Sequence, residues 1–280
     1  MSNLIPEKTL HDGLTVPSLG FGTYQLDGPP GVHSITSAID VGYRLIDTAY
    51  NYENEGAVGK AIQQSSVPRH ELRIASKLPG RYHEYKKAVT AIQESLYRSR
   101  LDYFDLYLIH WPNPKQDHYL EAWQALVDAK RWGLIRSIGT SNFLPEHIDR
   151  LEQETGELPT INQVELHPFF NQEQQRAYHH EKNIQTEAWS PLYRIGAIMD
   201  NKTLQNIAAQ HEKSVTQIIL RWHYQLGSLP IPKSSSANRQ RENLAIFNFE
   251  LSDSEMGLIN EMTRPDGRIN DQDPATYEEF

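Results

Sequence analysis

Short apolar runs rich in β-branched and aromatic residues alternate along the chain with longer stretches of helical period. The runs are SLGFGTY (18–24), RLIDTAY (44–50), ELRIASKL (71–78), YFDLYLIH (103–110), IRSIGTSN (135–142), TINQVEL (160–166), NIQTEAW (183–189) and SLPIPKS (228–234). Between them, HEYKKAVTAIQESLYRSR (83–100) and YLEAWQALVDAKRWG (119–133) are amphipathic. In the first of these, Val89, Ile92, Leu96 and Tyr97 fall on one predicted helix face; the second closes on Gly133, a C-terminal cap candidate. Eight strands joined by helices at roughly 30-residue spacing predict a parallel sheet of crossover units, and eight such units suit an α/β fold of the closed (β/α)8 TIM-barrel type.

Two segments break the regularity. Asp12-Gly13 lies between apolar-flanked pieces in KTLHDGLTVP (8–17), which predicts a β-hairpin capping the barrel bottom. The interval 190–227 is long enough for two helices. The tail from 264 to 280 is polar and is expected on the surface. No composition shift marks a boundary, so residues 1–280 are expected to form a single domain. The rival doubly wound sheet usually carries G-x-G-x-x-G in its first strand-to-helix turn, and Gly20-Phe-Gly22-Thr-Tyr-Gln lacks the third glycine.

Composition narrows the function classes. The 280 residues carry 27 basic and 36 acidic side chains, a net charge of −9, which argues against non-specific nucleic-acid binding. With no cysteine there is no disulfide, thiolate nucleophile or Cys-ligated zinc. No apolar stretch approaches the roughly 20 residues of a membrane span, and MSNLIPEKTLHDG lacks the features of a secretory signal. A cytoplasmic, monomeric protein is therefore expected. His179-His180 lies on a polar helical stretch and is expected in solvent, and no metal constellation is present. Asn201-Lys-Thr203 is a formal glycosylation sequon, idle without a secretory signal.

In a parallel barrel, reactive groups gather where strands end. Asp47 closes the second run, Lys77 the third and His110 the fourth, with Tyr52 five residues beyond the acid. Each has a plainer explanation: a helix cap, a surface lysine, a core imidazole, one of 14 tyrosines. Together they suit one chemistry, because a buried Asp needs a cation and a buried Lys an anion. A free phenol has a pKa of about 10, and a nearby ammonium is expected to lower it. Tyr52 would then serve as general acid, Asp47 would hold Lys77, and His110 would polarise a substrate carbonyl. Reduction would need a cofactor.

These residues resemble the aldo-keto reductase superfamily. GYRLIDTAYNYENEGAVG (42–59) is similar to its first signature, through Gly42, Arg44, Asp47, Glu55 and Gly59. RSIGTSNF (136–143) is similar to the second apart from Thr140, where the family usually has an aliphatic residue. IPKSSSANRQREN (231–243) is similar to the third, and His110-Trp111-Pro112 and Asn162-Gln163-Val-Glu165 are further hallmarks. The resemblance covers roughly residues 5–265, and within the family the chain is most similar to the bacterial 2,5-diketo-D-gluconate reductase group.

The resemblance implies a catalytic tetrad of Asp47, Tyr52, Lys77 and His110 and NADPH/NADP+ as cofactor. It implies that Ser141, Asn142 and Gln163 hold the nicotinamide carboxamide and that Trp189 stacks on the ring, with Thr23, Ser190 and Leu192 also in the cofactor site. It places Lys233, Ser234 and Arg239 at the 2′-phosphate, with Glu242 and Asn243 near the adenine. Ser236 stands where related enzymes can be basic, which would weaken NADPH preference. Tyr24, Asn51 and Trp111 would line the pocket of a small-molecule carbonyl substrate. Pro79 stands where relatives often carry Trp and would remove one aromatic wall. The function so implied is NADPH-dependent reduction of an aldehyde, ketone, dicarbonyl or keto sugar. The alternatives are an NADP(H)-loaded binding or regulatory protein with little turnover, and a barrel hydrolase or lyase using Asp47 and His110.

Overall fold

The computed structural model describes residues 5–193 and 196–280; residues 1–4, part of the N-terminal reading, and 194–195 lie outside it. Each predicted run contains a strand: β3 (Phe21–Gly22), β4 (Leu45–Asp47), β5 (Arg73–Leu78), β6 (Phe104–Ile109), β7 (Ile135–Ser141), β8 (Ile161–Glu165), β9 (Gln185–Trp189) and β10 (Leu229–Pro230). They form one parallel sheet in chain order. Gly20 N–H donates to Pro230 O at 3.0 Å and Gly22 N–H to Pro232 O at 3.2 Å, so the first and last strands meet and the sheet closes. Helices α1 (Gly28–Val41), α2 (Glu55–Gln64), α3 (Tyr85–Ser99), α4 (Tyr119–Arg131), α5 (Pro145–Thr155) and α6 (Glu173–Glu181) follow successive strands. Two helices, α7 (Lys202–Gln210) and α8 (Val215–Gln225), occupy the long interval, and α9 (Ala237–Leu244) and α10 (Asp253–Asn260) follow β10. Asn201, the sequon asparagine, caps α7 by accepting the Leu204 N–H.

The hairpin predicted at Asp12-Gly13 pairs β1 (Glu7–Thr9) with β2 (Thr15–Pro17). Gly13 turns it at φ +91°, the left-handed region that suits glycine. Leu10 and Val16 pack with Leu45, Ala75, Leu106, Ile161 and Leu229, so the hairpin plugs one mouth of the barrel.

Successive strand residues face opposite sides, and that alternation positions the site. Leu45 and Ala75 belong to the inner cluster, while Ile46 and Ile74 pack outward under the helices. The next inward residues are therefore Asp47 and Lys77, beyond the apolar plug.

Two signature residues prove to be packing elements. A Cβ on Gly59 of α2 would lie 1.8 Å from Ser99 O, so the backbones of α2 and α3 touch there. Glu55 is buried in an ion pair with Arg98 at 2.8 Å and accepts the Ser76 hydroxyl.

Three expectations are corrected. The buried face of α3 is Ala88, Ala91, Ile92, Ser95, Leu96 and Ser99, whereas Tyr97 is 74% exposed. Small residues win that face because the helix packs closely, and Ser95 Oγ reaches the Tyr107 hydroxyl of β6 at 2.9 Å. His179 is fully buried, bonded to Asn162, Gln175 and Thr186, and only His180 of that pair is exposed. The expectation of a surface tail holds only in part: residues 264–266 and 275–276 are exposed, but the segment returns over the barrel mouth, where Ile269 and Glu279 are buried and the Tyr277 ring packs against Trp111 with centroids 4.4 Å apart.

Candidate active site

At the C-terminal mouth of the barrel opens a cavity of about 800 Å3. Lys77 is fully buried at its base. Its Nζ donates to Asp47 Oδ1 at 2.7 Å, Asp47 Oδ2 at 2.8 Å and Thr48 O at 2.8 Å. Burial lowers the Lys77 pKa, but Asp47, then Tyr52, more than offset this and raise it. Gln163 Nε2 donates to Asp47 Oδ2 at 2.9 Å, so both carboxylate oxygens are engaged.

Tyr52 ends the short 3-10 turn Tyr50–Tyr52 that follows β4. Its ring centre lies 5.1 Å from Lys77 Nζ and 6.0 Å from the His110 ring, and Tyr24 meets it edge-on at 5.1 Å. The three residues picked from strand ends and Tyr52, five residues beyond the acid, therefore converge. One electrostatic expectation is corrected: the Tyr52 pKa is not lowered. Burial pushes the phenol up to about 12, against the pull of Lys77, with Asp47 and Glu279 adding to the rise. Tyr52 thus keeps its proton at neutral pH.

A fifth ionisable group shares this base, and strand parity could have found it. Glu187 on β9 lies opposite Gln163 in the sheet register and is fully buried. Burial, then the Asp47 charge, pushes its pKa up to about 8, so the carboxyl holds a proton at neutral pH and spares the site a second anion. The folded state thus binds this proton more tightly than the unfolded chain, and the stability it contributes at low pH is lost as pH rises toward and through about 8. Glu187→Gln is expected to raise Tm relative to the parent by an increment that grows from about pH 5 to about pH 9. A Tm difference independent of pH would show Glu187 ionised throughout.

The cavity wall also holds Thr23, Asn142, Trp189, Ser190, Leu192 and Lys233, all from the cofactor expectation. Ser141 sits behind it, its hydroxyl on Gln163 O at 2.9 Å. Asn142 Nδ2 donates to His110 O at 3.0 Å, and its Oδ1 accepts Trp189 Nε1 at 2.8 Å. Asn142 and Ser190 both hold left-handed backbone, with φ of +62° and +47°. The buried Thr23 hydroxyl has no partner among the described residues. Beyond β10, Lys233 and Arg239 are exposed, and neither has an acidic partner among the described residues. An exposed Lys233 on the same wall as the unpartnered Thr23 hydroxyl fits an elongated ligand with an anionic end, as NADPH is. Of the remaining third-signature residues, Ser234 accepts the Ser236 N–H, Glu242 accepts the Ser214 hydroxyl, and Asn243 is buried beside Tyr43.

The substrate-side residues are less uniform. Tyr24 is 58% exposed at the rim and Trp111 is buried beneath Tyr277. Asn51 spends its amide within the protein, donating to Glu279 Oε1 at 2.7 Å and accepting from Arg81. Tyr277 supplies an aromatic wall to the cavity, whose lining does not include Pro79. The tail residues Tyr277 and Glu279 were missed because their polar, aperiodic segment carries no pattern.

Among the described residues there is no cluster of three or more metal-ligating side chains, and no helix is long and apolar enough to cross a membrane.

The aldo/keto reductase family model matches residues 18–264. The chain is 50% identical over 276 residues to 2,5-diketo-D-gluconic acid reductase B of a Corynebacterium species, covering 99% of each. It is 44% identical over 269 residues to the methylglyoxal reductase DkgA of Escherichia coli, covering 96% of each. Among solved structures, a mutant of Gox0644 in complex with NADPH matches at a TM-score of 0.92 and 39% identity, covering 98% of this chain and 99% of the other. An aldo-keto reductase of Bombyx mori in complex with NADP matches at 0.89 and 36% identity, covering 98% of each. Closed barrel, family model and full-length similarity agree: the chain belongs to the aldo/keto reductase family.

Proposed function

We propose that the chain is an NADPH-dependent carbonyl reductase acting on small aldehydes, ketones and dicarbonyls, keto sugars among them, with Tyr52 as the proton donor. The observation that carries this is the convergence of Tyr52, His110 and the Asp47–Lys77 pair at the base of a cavity whose wall runs on to Lys233. NADPH, when bound, supplies a hydride from its nicotinamide ring. Ser141, Asn142 and Gln163 would hold the carboxamide of that ring, and Trp189 its face. Lys233, Ser234 and Arg239 would hold the 2′-phosphate, which two cations and a hydroxyl suit.

The chain's own residues do the rest. His110 donates to the carbonyl oxygen, which fixes its place and draws charge onto it. Tyr52, protonated at neutral pH, passes its proton to the alkoxide, a far stronger base than a phenolate. Lys77 steadies the phenolate left behind, and Asp47 keeps Lys77 charged and in place. The relatives named for a diketo acid and for methylglyoxal favour a substrate with adjacent oxygenated carbons.

The test is loss of NADPH or NADH absorbance with a panel of aldehydes, dicarbonyls and keto sugars, run on the parent and on Arg239→Ala. Rapid NADPH oxidation is expected with at least one panel member. The variant should raise the KM for NADPH about tenfold or more while leaving that for NADH nearly unchanged, since a charged hydrogen bond contributes about 1.5–3 kcal/mol. Equal losses for both cofactors would remove Arg239 from the phosphate site. No oxidation of either, with NADPH still quenching tryptophan fluorescence, would favour a binding protein.

A further inference from the structure

We propose that Glu279 is a positioning residue for the reaction: its buried carboxylate is the counter-charge that keeps a hydrogen on His110 Nδ1, so that the ring meets the substrate carbonyl through Nε2–H as an imidazolium. The proposal rests on the carbonyl-reductase reading above and adds to it a residue that acts through His110.

Glu279 is the penultimate residue, yet only 7% exposed, and it lines the cavity with His110 and Asn51. Its backbone is pinned on both sides by one side chain, donating to Asn113 Oδ1 at 3.0 Å and accepting Asn113 Nδ2 at 2.7 Å. Gly80 is what admits the strap: a Cβ there would fall 2.1 Å from Asn113 Nδ2 and 2.6 Å from Glu279 O. The carboxylate is fixed as firmly. It accepts the Gly80 N–H at 3.1 Å and Asn51 Nδ2 at 2.7 Å, and it lies 2.7 Å from His110 Nδ1 as a charge contact, not a linear hydrogen bond.

Gly80 and Asn51 are neutral donors, and a buried carboxylate needs a cation. Lys77 is committed to Asp47, and the exposed Arg81 donates to Asn51 Oδ1 and to Phe280 O. Burial pushes the pKa of nearby His83 down to about 4, so that imidazole is neutral. His110 is left to balance the charge. Burial favours the neutral acid at Glu279, but His110, then the Gly80 N–H and Asn51, more than offset it, and the carboxyl pKa lies below its usual value.

The state of the ring follows from its valence. A bare ring nitrogen and a carboxylate oxygen both present lone pairs and would repel at 2.7 Å, so Nδ1 carries a hydrogen. A neutral imidazole has only one N–H, and with that hydrogen on Nδ1 its Nε2 accepts and cannot donate. To hold a carbonyl oxygen, His110 therefore carries the second hydrogen as well, and Glu279 balances the charge this adds. A charged donor makes a stronger hydrogen bond than a neutral one, and the gain is largest at the alkoxide, where negative charge has collected.

The experiment reads the ring directly. Nitrogen NMR of the NADP+-loaded protein, labelled with 15N-histidine, separates a ring with two N–H groups from one with a bare nitrogen, and loss of the signals in His110→Asn assigns them. At neutral pH the parent is expected to show two N–H groups on His110, and the isosteric Glu279→Gln one N–H and one bare nitrogen. Glu279→Gln should also lower kcat at least about tenfold with the KM for NADPH within about twofold, a smaller loss than the about 10²–10³ that follows outright removal of an oxyanion-hole donor. A bare nitrogen on His110 in the parent would overturn the proposal. So would two N–H groups retained in Glu279→Gln, because any fall in kcat would then come from packing of the strap and not from its charge. An unchanged kcat in that variant would leave Glu279 with nothing to position, and overturns the proposal too. If the parent reduces no carbonyl of the panel, the reductase reading fails, and the ring spectrum alone decides whether Glu279 holds the hydrogen on Nδ1.

Discussion

Replacing Tyr52 by Phe is expected to lower kcat about a thousandfold while leaving NADPH affinity within about twofold. The size follows from the role: a positioned proton donor contributes typically about 10²–10⁴-fold. The variant removes one oxygen and leaves the ring, so the contacts with Tyr24 and His110 persist. The separation of the two effects is the informative part. On the proposed reading, cofactor affinity rests on the wall from Thr23 to Lys233, which the substitution leaves alone, whereas protonation of the alkoxide would need the lost hydroxyl. Because the phenol is held up to about 12, the parent should show no loss of kcat from Tyr52 ionisation anywhere between pH 6 and pH 9. Single-turnover rates and fluorescence quenching by NADPH measure the two quantities independently. A variant that reduces substrate at the parent rate would place the proton donor elsewhere.

The tetrad could be recognised from sequence because two local rules locate it. Apolar runs mark the strands, and the polar residue that ends a run lies at the barrel mouth. Period-two alternation then turns Asp47 and Lys77 to the side of Leu45 and Ala75. The same alternation, applied to NIQTEAW, would have placed Glu187 among them. What escaped is set by contacts distant in the chain. Glu279 meets Asn51, Gly80 and Asn113 across more than 160 residues, through hydrogen bonds that leave no hydrophobic period behind. Its segment reads as polar, and polar segments are usually solvated. His179 misled for a related reason: its two nitrogens are satisfied by Asn162, Gln175 and Thr186, which lets an imidazole lie buried on a helix of polar composition. Tyr52 shows a third limit. Its neighbours could be foreseen, but the sign of its shift depends on burial against Lys77, and burial is a property of the packed molecule.

Lys77→Met tests whether the buried pair serves the fold as well as the chemistry, and both should suffer. Methionine fills much of the same volume without a charge, which leaves Asp47 buried with only Gln163 donating to it and Thr48 O without its donor. Removing one partner of a buried ion pair costs about 3–5 kcal/mol, because the survivor loses its counter-charge and keeps its desolvation. For a chain of this length that corresponds to a Tm lower by about 5–9 °C. Catalysis should fall separately. Lys77 heads the influences that hold the Tyr52 pKa down; without it the phenol becomes a weaker acid and its phenolate a costlier product, so kcat should drop by about a hundredfold or more. The double variant Asp47→Asn, Lys77→Met separates the two losses. With both charges gone the desolvation penalty disappears, so Tm should recover most of the way to the parent, whereas kcat should stay low because the ammonium is still missing. A double variant as unstable as Lys77→Met would mean that the lysine's packing, and not its charge, holds the base of the barrel together. Recovery of both Tm and kcat would mean that Tyr52 needs no cation beside it.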